Sequence, residues 1–244
     1  MAMEYNKYPE IQHFHNGLSA LGIELSDRQL QQFADYYELL AERNKVMNLT
    51  AITEFKEVVD KHFIDSLSLV KVIGLSREKV LDLGTGAGFP GIPLKIVFPD
   101  IDLVLLDSLN KRLLFLQEVI EKLALKKVRT LHGRAEDFGR DVKYREQFDL
   151  CVSRAVAKLS SLAEYCLPYV KTGGYFISYK SGKAEEELEM AENAIKTLGA
   201  RLERVKGFVL PGTDMERSLI VLKKLLQTPK AYPRSAGKPA KEPL

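Results

Sequence analysis

At 244 residues the chain is long enough for one substantial core, and 45% hydrophobic with 28% charged residues is the balance of a globular chain in water. No apolar run approaches the roughly 20 residues of a membrane helix; "MAMEYNKYPEIQHFHNG" has no signal-peptide core, and the two cysteines and four histidines show no metal-ligand spacing. The net charge of +3 lies in residues 227–244, where Lys230, Arg234, Lys238 and Lys241 stand against Glu242; residues 1–76 carry −4 and residues 77–226 carry +4. A cytoplasmic protein with reduced cysteines, no membrane contact and no metal is expected, and its uneven charge is compatible with a nucleic-acid partner.

The first 75 residues read as helices. In "LSDRQLQQFADYYELLAERNK", Ser26 is followed three residues on by Gln29, the spacing of a capping box. Leu30, Phe33, Tyr37 and Leu40 then recur at helical intervals and predict a buried stripe. After the turn-like "NLTAIT", Val59, Phe63, Leu67 and Val70 mark a second amphipathic helix, with Gly74 as its stop. From Lys79 the rhythm changes to short aliphatic strands: "KVLDLG", "DLVLLDS", "VRTLHG", "FDLCVSRA" and "YFISYKSG". Between the second and third, "KRLLFLQEVIEKL" puts Leu113, Leu116, Ile120 and Leu123 on one helix face, and further helical patterns lie near 158–170 and 184–198. "ARLERVKGFVL" and "RSLIVLKK", joined by the turn-rich "PGTDME", predict an antiparallel closing hairpin.

The alternation predicts an α/β fold with a mainly parallel seven-stranded sheet, an antiparallel closing strand and N-terminal helices ahead of it. The organisation is then an N-terminal helical section (1–75), an α/β domain (76–226) and a basic, Pro-rich tail (227–244). Four of the ten prolines and few apolar groups fall in that tail. It is expected to lack a fold of its own, either as a solvated terminus or as an arm ordered by RNA phosphates.

"VLDLGTGAGFPGIPL" is the chain's most unusual segment. Gly86-Ala87-Gly88-Phe89-Pro90-Gly91 is formally G-x-G-x-x-G, with Asp107 placed 21 residues after Gly86 as in a dinucleotide site. Asp82-Leu83-Gly84-Thr85-Gly86-Ala87-Gly88 is also D-x-G-x-G-x-G, with the carboxylate still on the first strand, and this resembles the first motif of Rossmann-like methyltransferases that use S-adenosylmethionine. That cofactor has no pyrophosphate; its ammonium and sulfonium favour a nearby carboxylate, and glycines let the backbone approach it closely. Asp107, at the end of the second strand, then suits the cofactor ribose, with a helix N-cap as its structural alternative. Asp82 is either a cofactor carboxylate or a brace for the loop.

"NLTAIT", "HFIDSL", "DLGTGAGFPGIPL", "LLDSLNKRLLFL", "GRAEDF" and "FDLCVSRAVAKL" follow one another in an order that resembles the rRNA small-subunit methyltransferase G family, also called glucose-inhibited division protein B. The resemblance runs from about residue 20 to the ending "YPRSAGKPAKEPL". It implies methylation of N7 of one guanine in 16S rRNA; the expected partner is that RNA, free or within the small ribosomal subunit, and a monomer is expected. It also implies that Gly84 and Phe89 line the cofactor pocket, that Gly86 and Gly88 shape its floor, and that Ala135 and Glu136 flank the adenine. Arg154 would sit at the cofactor or substrate mouth as the catalytic candidate that orients the reacting partners, or else pair with a nearby carboxylate. His62, Asp65 and Ser66 share one helix face, which is poor geometry for a nucleophile–base relay; they either pack the N-terminal section against the cofactor domain or edge the cavity. Lys111 and Arg112 are open to RNA phosphates or to solvent, and "KAEEELEMAENAIK" reads as an acidic solvent face turned away from RNA.

Overall fold

Successive side chains of a strand face opposite sides of its sheet, and in this chain both sides are apolar. Val80, Leu103, Leu105, Leu150 and Val152 enter one buried cluster, and Leu81, Leu83, Val104, Leu106 and Cys151 enter another. Such strands need helices on both faces. The computed structural model describes residue 8, residues 10–182 and residues 184–244; residues 1–7 and 9, the start of the stretch that lacks a signal-peptide core, lie outside them.

The N-terminal helices are α1 (Ile11–Ala20), α2 (Asp27–Met47) and α3 (Phe55–Val58). From α3 the chain runs through a π-helical turn, Val59–Ile64, into α4 (Asp65–Leu67) and a 3-10 turn, Ser68–Lys71. The capping box at Ser26 forms as expected, and Gln29 also donates to the carbonyl of Ile96 (2.8 Å), tying α2 to the helix after the glycine loop. On α2 the fully buried tyrosine is Tyr36, while Tyr37 is half-buried. The predicted stripe of Val59, Phe63 and Leu67 is buried, but over a π-helical turn that its spacing did not reveal.

The remaining elements are β1 (Lys79–Leu83), α5 (Gly91–Val97), β2 (Asp102–Asp107), α6 (Asn110–Lys122), β3 (Val128–His132), α7 (Ala135–Phe138), β4 (Phe148–Arg154), α8 (Leu159–Cys166), β5 (Val170–Lys180), α9 (Ala184–Thr197), β6 (Ala200–Val209), β7 (Glu216–Lys224) and α10 (Lys238–Lys241). All seven predicted strands form one sheet, in the order β3-β2-β1-β4-β5-β7-β6. β1 to β5 are parallel, and β7 runs antiparallel to both β5 and β6. Strand order reverses between β1 and β4, which opens a crevice beyond their C-terminal ends, where ligands of doubly wound sheets bind. The N-terminal helices, α5 and α6 share one core with one sheet face; α8 and α9 cover the other. No helix among the described residues is long and apolar enough to cross a membrane.

Residues 227–244 depart from the solvated terminus expected of them. Thr228, Pro233 and Pro239 are buried. Arg145 donates to the carbonyls of Thr228 (2.6 Å) and Tyr232 (2.8 Å), and Arg234 pairs with the buried Glu164 (2.6 Å). Apolar composition underestimated this segment because arginine donors, rather than a hydrophobic stripe, hold its backbone.

The aromatic cluster joining the N-terminal helices centres on Phe63, whose ring lies 4.9 Å from Phe33 and 5.7 Å from Tyr36 between centroids. Phe63→Ala is expected to lower the free energy of unfolding by about 3–5 kcal/mol, with one cooperative transition retained. Urea unfolding followed by circular dichroism measures it; a loss below about 1 kcal/mol would show that the cluster does not hold the two layers together.

Candidate functional site

The glycine loop is shaped from below. Asp82, buried at the end of β1, accepts from Thr85 Oγ1 (2.7 Å) and the Gly91 N–H (2.8 Å) through one oxygen, Oδ2. Oδ1 is buried without a partner. Burial raises the Asp82 carboxyl to about 6, against the lowering effect of its two hydrogen bonds. Gly88, at φ +102°, lies where a Cβ would come within 2.6 Å of the Tyr36 hydroxyl. That hydroxyl donates to the carbonyl of Ala87, so α2 rests directly on the loop.

Above the loop, at the ends of β1, β2 and β3, lies a cleft of about 580 Å³. Gly84, Asp107, Arg112, Ala135, Glu136 and Tyr165 are among the residues that line it. Gly84 has φ +71°, and a Cβ there would meet the side chain of Val156 at 2.5 Å. Asp107 accepts from the N–H groups of Gly86 (2.9 Å) and Leu109 (2.9 Å) and from Arg112 (3.2 Å). A carboxylate offers about four acceptor positions, so one remains, or two if Arg112 moves. Glu136 accepts from the N–H of Gly237 (2.7 Å) through Oε1. The volume and the mixed polar and apolar walls suit a nucleoside-sized ligand.

A second cleft, of about 500 Å³, opens on the far side of β4. Lys61, His62, Asp65, Arg154, Glu187 and Arg217 are on its wall. Asp65 holds two guanidinium groups, Arg154 through Oδ2 (2.6 Å) and Arg217 through Oδ1 (3.0 Å). Arg154 also donates to the carbonyl of Lys61 (2.7 Å), sits 3.1 Å from His62 Nδ1, and covers the Phe89 ring at 5.3 Å. The His62 ring stacks on the same Phe89 at 4.3 Å. Burial, and then the Arg154 charge, depress the imidazole to about 3, so His62 is neutral at physiological pH. Ala155 lines both clefts and has φ +57°, a conformation that costs a non-glycine residue roughly 1–2 kcal/mol.

The predicted site residues thus divide. Gly84, Asp107, Ala135 and Glu136 come together in the first cleft, while Arg154 lines the second. Asp82, Gly88 and Phe89 lie beneath the loop: Asp82 is a brace, and Phe89, 6% exposed, is packed among Tyr36, His62 and Phe63. Gly86 spends its N–H on Asp107. The ion pair considered for Arg154 exists, with Asp65 as partner. His62 and Asp65 edge a cavity, whereas the Ser66 hydroxyl is buried and bonded to the His62 carbonyl. Arg112 is committed to Asp107, and Lys111 bonds the carbonyl of Met47 (3.2 Å). The acidic helix is not purely a solvent face, since Glu187 takes Lys180 (2.7 Å) and the Leu159 N–H (2.8 Å) at the rim of the second cleft. Arg217, Tyr165 and Gly237 went unread; each stands alone in sequence, without a spacing that marks it.

The sequence pattern of the rRNA small subunit methyltransferase G family (GidB) matches residues 29–220. A ribosomal RNA small subunit methyltransferase G from Lachnoclostridium phytofermentans is 60% identical over 232 residues, covering 95% of this chain and 96% of the relative. The chain belongs to this family. A second member, from Acetivibrio thermocellus, is 51% identical over 228 residues, 93% of this chain and 94% of its own. The crystal structure of M. jannaschii TYW2 in complex with AdoMet superposes with a TM-score of 0.54 over 72% of this chain and 80% of that one, at 16% identity, which speaks for the Rossmann-like methyltransferase fold alone.

Asp82 gives the family's loop a pH signature. Its folded-state pKa of about 6 lies above the unfolded value, so the fold favours the protonated form. That contribution is fully present below about pH 4 and is lost as pH rises through about 6, on the order of 2–3 kcal/mol in all. Asp82→Asn mimics the protonated state, so its stability relative to the parent should rise between pH 4 and pH 7. Parallel denaturant titrations across that range check this; a pH-independent difference would refute the raised pKa.

Proposed function

We propose that the protein transfers a methyl group from S-adenosylmethionine to N7 of one guanine in 16S rRNA. The observation that carries this most directly is the meeting of two clefts at Ala155, next to Arg154 of the second cleft and beyond the strand ends at the sheet's switch point. One is sized for a nucleoside and has carboxylates on its wall; the other is apolar in part, at Ile52, Tyr179 and Met215, and rich in cations. Membership of the rRNA small subunit methyltransferase G family supplies the substrate class.

Gly84, Asp107, Ala135 and Glu136 would hold the cofactor, with Asp107 toward the ribose and Ala135 and Glu136 beside the adenine. Asp82, Gly86, Gly88 and Phe89 contribute from beneath, by fixing the loop. Bound there, S-adenosylmethionine would supply a methyl group already activated by the sulfonium charge. Guanine N7 carries an in-plane lone pair and loses no proton, so the residues need only orient it. His62, with its imidazole depressed to about 3, is too weak a proton acceptor to serve as a general base near neutral pH, and the reaction needs none.

Arg154 is the catalytic candidate. Its guanidinium is held by Asp65, the Lys61 carbonyl and the Phe89 face, a rigid platform against which a base could be set in line with the methyl group. Asp65 neutralises one of the two arginines it binds, which leaves the pocket cationic and suited to the guanine O6 edge or a nearby phosphate. A base extruded from its stack would enter here. Both clefts are built by one chain, so the reaction needs no second copy, and a monomer acting on rRNA, free or within the small subunit in the cytoplasm, completes the proposal.

Labelled methyl transfer to 16S rRNA and to small subunits from cells lacking the activity tests this. One guanine labelled at N7 is the expected result. Asp107→Ala should raise KM for S-adenosylmethionine tenfold or more, and Arg154→Ala should lower kcat by about 10² with folding retained. Cofactor binding without transfer to either RNA substrate would overturn the substrate assignment.

A further inference from the structure

The C-terminal segment adds no strand to the sheet; it runs over α8 and passes the first cleft at Gly237. Its path is fixed in stages. Lys224, fully buried, donates to the Thr228 hydroxyl (2.6 Å), and the Thr228 N–H donates to Glu146 (2.7 Å). Arg145 then holds the carbonyls of Thr228 and Tyr232, and Arg140 that of Pro233 (2.8 Å). Next, Arg234 meets Glu164 of α8 through its backbone N–H (2.7 Å), Nε (2.9 and 3.1 Å) and Nη2 (2.6 Å). Three residues further on, Gly237 (φ +80°) lines the cleft and donates to Glu136 Oε1. The Ser161 hydroxyl secures the following turn through the Pro239 carbonyl (2.9 Å).

Glu164 is what makes this a built anchor rather than a draped terminus. Its residue exposure is 0%, and among the described residues every hydrogen bond to its carboxylate comes from Arg234. A buried carboxylate is tolerated only with such compensation. Paired forks also fix direction: an arginine bound through two nitrogens defines where the chain goes next. Glu136 then has one oxygen on the tail and the other, Oε2, without a partner among the described residues, in a side chain on the cleft wall.

We propose that Arg234 is a positioning residue for cofactor binding: anchored on Glu164, it holds the Gly237 N–H against Glu136 Oε1, so that Oε2 is presented to the exocyclic amine of the adenine. This rests on the cofactor occupying the first cleft, as argued above. The basic tail is therefore part of the cofactor site and not an arm for RNA phosphates. By linkage, a ligand that gains from an ordered tail must itself order the tail.

Calorimetric titration with S-adenosylhomocysteine, alongside steady-state kinetics, tests the assignment. Arg234→Ala should raise Kd for this ligand, and KM for S-adenosylmethionine, by about tenfold, while kcat at saturating cofactor and KM for rRNA stay within about twofold. Arg234→Lys should recover part of the affinity, since it keeps the charge but not the fork. In the unaltered protein, saturating S-adenosylhomocysteine should slow tryptic cleavage after Arg234 and Lys241. A folded Arg234→Ala protein with unchanged Kd overturns the proposal, as does a rise confined to KM for rRNA. If Arg234→Ala does not fold, equal cleavage rates with and without the ligand overturn it. Failure of the unaltered protein to bind the ligand refutes the cofactor assignment itself, and the proposal falls with it.

Discussion

Asp65 is the group on which the rest of the site depends. Its carboxylate, 4% exposed, sits at the start of α4 between the guanidinium groups of Arg154 and Arg217. One arginine ends the parallel strand β4 and the other begins the antiparallel strand β7, so a single acidic side chain from the N-terminal helices ties together the strands on either side of β5. Withdrawing a carboxylate and two partly exposed guanidinium groups from water is costly, and the cost is offset only where geometry is good and further donors and acceptors are satisfied. The Lys61 carbonyl, the His62 ring and the Phe89 face supply that satisfaction around Arg154. The π-helical turn Val59–Ile64 is what brings the Lys61 carbonyl, His62 and Asp65 to the same guanidinium.

The same helices also set the glycine loop. Tyr36 bonds the loop backbone at Ala87, and Phe89 inserts between the Tyr36 and His62 rings. The N-terminal section is thereby a structural foundation for the first cleft and a wall of the second one. A mutation in α2 would be felt at both clefts, because interiors packed at crystal-like density transmit displacement rather than absorb it.

Much of this was legible in residue order. Seven strands, the helices between them and the closing hairpin follow from periodicity and turn composition, and the D-x-G-x-G-x-G segment located the cleft because its three glycines take positive φ without the strain a side chain would add. Asp107 and Glu136 were found through motif matching, and both line that cleft. The miss at Tyr37 was a matter of one residue's rotation on a helix. The misses at Arg217 and Gly237 were of another kind: each reaches its partner, Asp65 or Glu136, across a large separation in sequence with nothing local to mark it, while Glu187 was hidden in a run of acidic residues. The tail was misread because composition counts apolar side chains, whereas the segment is held by hydrogen bonds from Arg140 and Arg145 and by one buried fork at Glu164.

By itself the sequence determined the class of fold, the position of the glycine loop and, through its motifs, the family. These are properties of local backbone freedom and of hydrophobic period, which neighbouring residues encode together. Only the tertiary structure decided that Asp82 braces the loop and does not line the cleft, that Arg154 belongs to a second cavity, and that the tail returns to Glu136. Those outcomes depend on which charges are buried against which partners, and burial is a property of the whole fold.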